Sequence, residues 1–135
     1  MIEQHNKVVG VHDKIYFLGD IAMGNATSFD TIMSRLNGEK VLIKGNHDGL
    51  NLSNYVKWFK DIRATHVLDR FLISHIPVHP DSLGRWKANL HGHTHYRDVE
   101  ISPHHKDTRY YNLSVEKHDY SPVDFEAIRS AYKDV

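Results

Sequence analysis

Cysteine is missing from the 135 residues altogether, which rules out both a disulfide framework and a thiolate metal site. Proline is scarce, at 4, and no apolar run approaches the roughly 18 residues that a membrane-spanning helix needs. The amino-terminal stretch Met1 to Lys7 lacks the apolar core of a secretory leader, so a cytoplasmic protein with no membrane association is expected. A surplus of charge of either sign is absent too: 17 Lys and Arg balance 17 Asp and Glu. That balance argues against a dedicated nucleic-acid binder, which carries a strongly basic surface.

What the chain has in excess is histidine, at 12 residues. Six of them, His47, His75, His79, His91, His93 and His95, lie in or beside short motifs that follow apolar stretches. The motifs, in order, are Gly19-Asp20, Gly45-Asn46-His47-Asp48, Ser74-His75 and His91-Gly92-His93-Thr94-His95. The apolar stretches before them, Lys14 to Leu18, Lys40 to Lys44, Arg70 to Ile73 and Ala88 to Leu90, read as strands. In open α/β sheets ligands sit beyond the carboxyl ends of strands, and a gathering of His, Asp and Asn there suits a divalent transition metal.

The rest of the chain reads as one α/β domain over residues 1–135. Residues 1–9 have the pattern of a helix tail. Ser28 is placed as the N-cap of a helix to about Leu36, with Phe29, Ile32, Met33 and Leu36 on one face. A short helix is expected over Asn54 to Asp61, and two short strands joined at Leu68-Asp69-Arg70 over Val67 to Ile73. Tyr110 to Glu116 alternates as a strand does, and Pro122 opens a final helix over about 123–133.

Taken together, the motifs resemble those of the calcineurin-like metallophosphoesterase superfamily, whose pattern runs D-x-H, G-D, G-N-H-[DE], a lone His, then G-H-x-H. Four of the five blocks are present in order, and D-x-H is not. The resemblance implies an αββα sandwich, two packed mixed sheets flanked by helices, here lacking its first strand. It implies a hydrolase for a phosphomonoester or phosphodiester that uses a metal-activated water, with a nuclease-like enzyme and a catalytically impaired metal-binding remnant as the alternatives. It places Asp20, Asn46, His75 and His93 as ligands of one tight metal site. Asp20 would bridge to a second site that also takes His95 and is incomplete without D-x-H. His47 and Asp48 would be catalytic, His47 at the phosphoryl oxygen and Asp48 orienting it. Manganese heads the candidate ions, ahead of iron, zinc, nickel and magnesium. The implied partners are a small phosphate ester and a second copy of the chain covering the missing strand.

Overall fold

The computed structural model describes residues 1–21 and 24–135. Among the described residues, helices and strands alternate in the first half of the chain, and the second half is rich in strands. A helix, α1 (Ile2–Val8), precedes β1 (Lys14–Phe17), and α2 (Ala26–Met33) leads into β2 (Glu39–Ile43). The four-residue α3 (Leu52–Tyr55) and β3 (Asp61–Arg63) follow. These three strands form an all-parallel sheet in the order β1-β2-β3.

A second sheet holds β4 (Thr65–Leu68), β5 (Phe71–Ser74), β6 (Ala88–His91) and β9 (Tyr110–Asn112), in the order β4-β5-β6-β9. Only its β4-β5 pair is antiparallel. A separate exposed ribbon joins β7 (Glu100–Ser102) to β8 (His105–Lys106), and α4 (Phe125–Ala131) ends the fold. Parallel pairing therefore dominates both main sheets, and it directs the strand ends that carry polar motifs toward common edges.

Two apolar clusters hold these layers. Phe29 and Met33 of α2 and Tyr55 of α3 pack with Phe59 on Leu42, with Phe17 and Ile62 alongside. From the same strands, Ile43 and Tyr16 turn the other way. They join Phe71, Ile73, Ala88 and Leu90 of the second sheet, together with Ile128, Phe125 and Tyr132. Side chains alternate across a strand, so Asn89, His91 and Ser74 occupy the opposite face of the second sheet. They too are buried. That face is closed by polar contacts with the loop after β5. Asn89 Oδ1 accepts from the Val78 N–H at 3.0 Å, and the Tyr110 hydroxyl donates to the Val78 carbonyl at 2.7 Å.

The expected calcineurin-like αββα sandwich is corrected on two points. The first sheet is purely parallel, not mixed. No outer helical layer closes the second sheet among the described residues, because α4 contributes its apolar side chains to the same cluster as Ile43 and Tyr16. A helical layer needs an apolar sheet face to cover, and Asn89, His91 and Ser74 make that face polar.

Local boundaries differ for local reasons. Helix α2 starts at Ala26 because the Asn25 side chain accepts from the Ser28 N–H at 2.9 Å, so Asn25 is the cap and Ser28 its third residue. Strand β9 stops at Asn112, where the Asn112 side chain accepts from the Ser114 N–H, and residues Val115–Lys117 form a 3-10 turn.

Beside β9 the buried Asp107 accepts two bonds from the Arg109 guanidinium, at 3.0 and 2.7 Å. Those bonds hold the Asp107 carboxyl below the usual carboxylate range against the opposing effect of burial. A depressed folded value means that its stabilisation is complete above the unfolded value of about 3.9 and is lost as pH falls through the folded value. Arg109→Gln is therefore expected to move the midpoint of acid unfolding, followed by circular dichroism, to higher pH while leaving neutral-pH structure intact.

Candidate metal centre

The site forms where loops from both sheets meet. Beyond β1, Leu18-Gly19-Asp20 turns sharply, with Gly19 at φ 91° and Asp20 at φ 56°. Gly19 is required there. A Cβ would lie 2.6 Å from His75 Nδ1 and 2.7 Å from the Gly45 Cα. Beyond β2, Gly45 lies against Asp20 so closely that a Cβ would sit 2.3 Å from Asp20 Oδ1.

The buried Asp48 carboxylate ties these two loops together. One oxygen accepts from the N–H groups of Asp20 and Gly45 at 2.8 and 2.7 Å, and the other accepts from Ile21 at 2.9 Å. The His47 N–H adds a bond to Asp20 Oδ1 at 2.8 Å. Backbone groups that a turn leaves unpaired are thus satisfied by two carboxylates.

Into this frame the second sheet inserts His75, buried at the end of β5. Its Nδ1 donates to the Leu18 carbonyl at 2.5 Å, which fixes the ring direction and leaves Nε2 of the neutral ring as a lone pair. That lone pair faces Asn46 Oδ1 at 2.9 Å, Asp20 Oδ2 at 3.1 Å and His93 Nδ1 at 3.2 Å. A single proton can bridge one of these pairs, whereas a cation among them satisfies all four atoms. Ligands bound at about 2.1 Å and at right angles stand about 3.0 Å apart, matching the observed spacings. The Asp20, His75 and His93 side chains can hold a divalent metal ion: their ligand atoms all lie within 4.8 Å of one another.

His93 reaches this point from a left-handed backbone, φ 68°, in the loop after β6. Asn112, buried on β9, clamps that loop by donating to Thr94 Oγ1 and to the carbonyls of His95 and Arg97 at 2.9 to 3.1 Å. Reading the sequence alone missed Asn112. Its one signal is an asparagine closing an otherwise apolar alternation. His91 is buried, with Nδ1 on the Gly92 carbonyl at 2.8 Å, and burial pushes its pKa below the ordinary histidine value.

Asp20, Asn46, His75 and His93 are thus brought together. His95 is not. Its ring is exposed and its Nδ1 pairs with Glu116 Oε2 at 2.7 Å. His47 is exposed and brings its backbone N–H to Asp20. Asp48, expected to orient His47, has its carboxylate on backbone N–H groups of the two loops. Among the described residues the His, Asp and Glu side chains form one candidate metal group.

A second metal position built on Asp20 and His95 is therefore not assembled, and the hydrolysis expected from a two-metal clamp loses its geometry. The phosphoesterase activity, its nuclease-like form and the phosphate-ester partner are withdrawn with it. So are the catalytically impaired remnant, which presumed the same fold, and the second copy expected to complete the sandwich. No helix among the described residues is long and apolar enough to cross a membrane.

No family model matches the chain. It is 31% identical over 134 residues to the uncharacterized protein MJ1445 of Methanocaldococcus jannaschii, a match spanning 95% of this chain and 70% of that protein. Its fold is similar to the crystal structure of AQ665, a protein of unknown function from Aquifex aeolicus. That similarity has a TM-score of 0.73 and 22% identity, and covers 96% of this chain and 82% of the other. The resemblance to the calcineurin-like superfamily is corrected accordingly. No family model carries it, and among the described residues neither a helical layer outside the second sheet nor the second metal position that it implies is formed.

The glycine packing makes a paired test. Gly45→Ala is expected to destabilise the chain by about 2 kcal/mol or more and to abolish high-affinity metal binding, because Asp20 must move to admit the methyl group. Gly49→Ala, where nothing lies within 4 Å of the added carbon, is expected to change stability by less than about 0.5 kcal/mol. Urea unfolding and metal titration of both variants read the difference.

Proposed function

Because the chain belongs to the family of the uncharacterized protein MJ1445, whose name assigns no activity, we propose its function from the site itself: it is a divalent-metal-binding protein with one site per chain. The observation that carries this reading is the convergence of Asp20 Oδ2, Asn46 Oδ1 and His93 Nδ1 on His75 Nε2. Two imidazoles, one carboxylate and one amide oxygen make a mixed nitrogen and oxygen set. Such a set suits manganese, iron, nickel or zinc better than the thiolate-seeking ions, and magnesium less well because it prefers oxygen.

The ligands come from both sheets, Asp20 and Asn46 from one and His75 and His93 from the other. A bound ion cross-links them. Binding to the folded state alone stabilises it by mass action, so the melting temperature rises with metal concentration. The imidazole ligands must be neutral, so affinity falls in acid as protons compete for the same lone pairs.

Isothermal titration of metal-stripped protein with manganese and with zinc is expected to give one ion per chain. His75→Ala and His93→Ala are each expected to remove that binding, whereas His95→Ala retains it. Cobalt substitution supplies a separate readout, since its visible absorption bands report nitrogen and oxygen coordination directly. A native protein that binds no ion, or one whose single ion survives His75→Ala, would refute the assignment.

A further inference from the structure

The end of the second sheet remote from the metal cluster carries a second feature. Strands β4 and β5 are joined by the two-residue loop Asp69-Arg70, since Leu68 and Phe71 are their last pair. Both loop residues are left-handed, with φ 47° and 67°. That is the pattern of a primed hairpin turn, whose second position strongly favours glycine. An arginine there is strained, and strain kept at one place in a fold points to a use for the side chain.

The surroundings show what that use could be. Arg70 Nη2 donates to the Arg85 carbonyl at 3.0 Å, and the Arg70 carbonyl accepts from the Lys87 N–H at 2.7 Å. The Arg85 guanidinium lies 5.0 Å from the centre of the half-buried Trp86 ring, and Lys87 Nζ lies 5.6 Å from that of Phe71. Three cations and an indole are thus gathered by backbone contacts at the amino ends of β5 and β6. None of the three cations forms an ion pair with a carboxylate among the described residues. The neighbouring Asp69 is already engaged by Arg129 at 2.8 Å. Arg129 also pairs with Glu126 at 2.8 Å, so these four cations and two carboxylates leave a local excess of two positive charges in a chain of net charge +0.

We infer that Arg70, Arg85, Lys87 and Trp86 form a binding surface for a short tract of single-stranded nucleic acid. Guanidinium forks and an ammonium group match successive phosphates, and an aromatic side chain beside them offers a surface for a base. The site is independent of the metal centre, which lies beyond the carboxyl ends of the same strands.

The test is fluorescence anisotropy of a labelled 12-residue oligothymidylate with the full chain over a series of salt concentrations. Three phosphate contacts at about 0.7 each give a slope of log affinity against log salt of about −2. Arg70→Gly is expected to weaken binding and flatten the slope to about −1.4, one contact fewer. The same substitution is expected to raise the melting temperature, because glycine relieves the left-handed turn. Loss of binding is thereby separated from loss of folding. Arg85→Gln and Lys87→Gln should each weaken binding similarly, and Lys7→Gln on α1 should leave it unchanged. The proposal is overturned if the native chain fails to bind at low salt, or if it binds anionic vesicles in preference to the oligonucleotide. Arg70→Gly binding as tightly as the native chain, or Lys7→Gln weakening binding as much, would equally overturn it.

Discussion

Everything at the metal centre depends on one buried carboxylate. Asp48 gathers the N–H groups of Asp20, Ile21 and Gly45, and so fastens the turn after β1 to the turn after β2. Charge-assisted bonds of this kind are about twice as strong as neutral ones, and here they lie where water cannot compete. The clamp holds Asp20 in its left-handed conformation and keeps Gly19 and Gly45 in contact. Asp20, Asn46 and His75 are placed by that contact, His75 through the Leu18 carbonyl of the same turn, while His93 is held from the other side by the Asn112 clamp.

The second sheet shows how a polar face can still be an interior face. Asn89 makes bonds to Val78, Leu72 and Ser74, and thereby fastens the loop after β5 onto the sheet by polar contacts. Each bond contributes modestly, but leaving any of these groups unpaired would cost more than the bond itself contributes. The apolar material is spent instead between the sheets, where Ile43, Phe71, Ile73 and Leu90 meet α4.

Much of this was legible in the residues. The apolar stretches at 14–18, 40–44, 70–73 and 88–90 became β1, β2, β5 and β6, because alternation and β-branched content are local properties. Asp20, Asn46, His75 and His93 were singled out together by the likeness of their motifs to the calcineurin-like pattern, and their place just after apolar stretches is what brings them to one region. The rest depended on tertiary geometry. His95 carries the same ligand chemistry as His93, yet a left-handed loop turns it out to Glu116. Asp48 carries the same carboxylate as any solvated turn acid, and only folding shows which N–H groups it satisfies. The three-residue β3 and the exposed ribbon of β7 and β8 have too few residues for a periodic pattern. The polar cover of the second sheet depends on bonds from Asn89 and Tyr110 to Val78, a contact across the loop after β5 that no local pattern marks.

The bond from His75 to the Leu18 carbonyl spans 57 positions of sequence and joins one sheet to the other. The site therefore has no precursor in either half of the chain. The four donors share a neighbourhood only where the parallel sheet and the mixed sheet are docked. Contacts of such long sequence separation are closed late, after the loop entropy has been overcome. A site of this kind can hold an ion only when the two sheets are correctly docked. A chain whose halves are individually structured but wrongly apposed presents two half-sites, and only correct apposition creates the whole one.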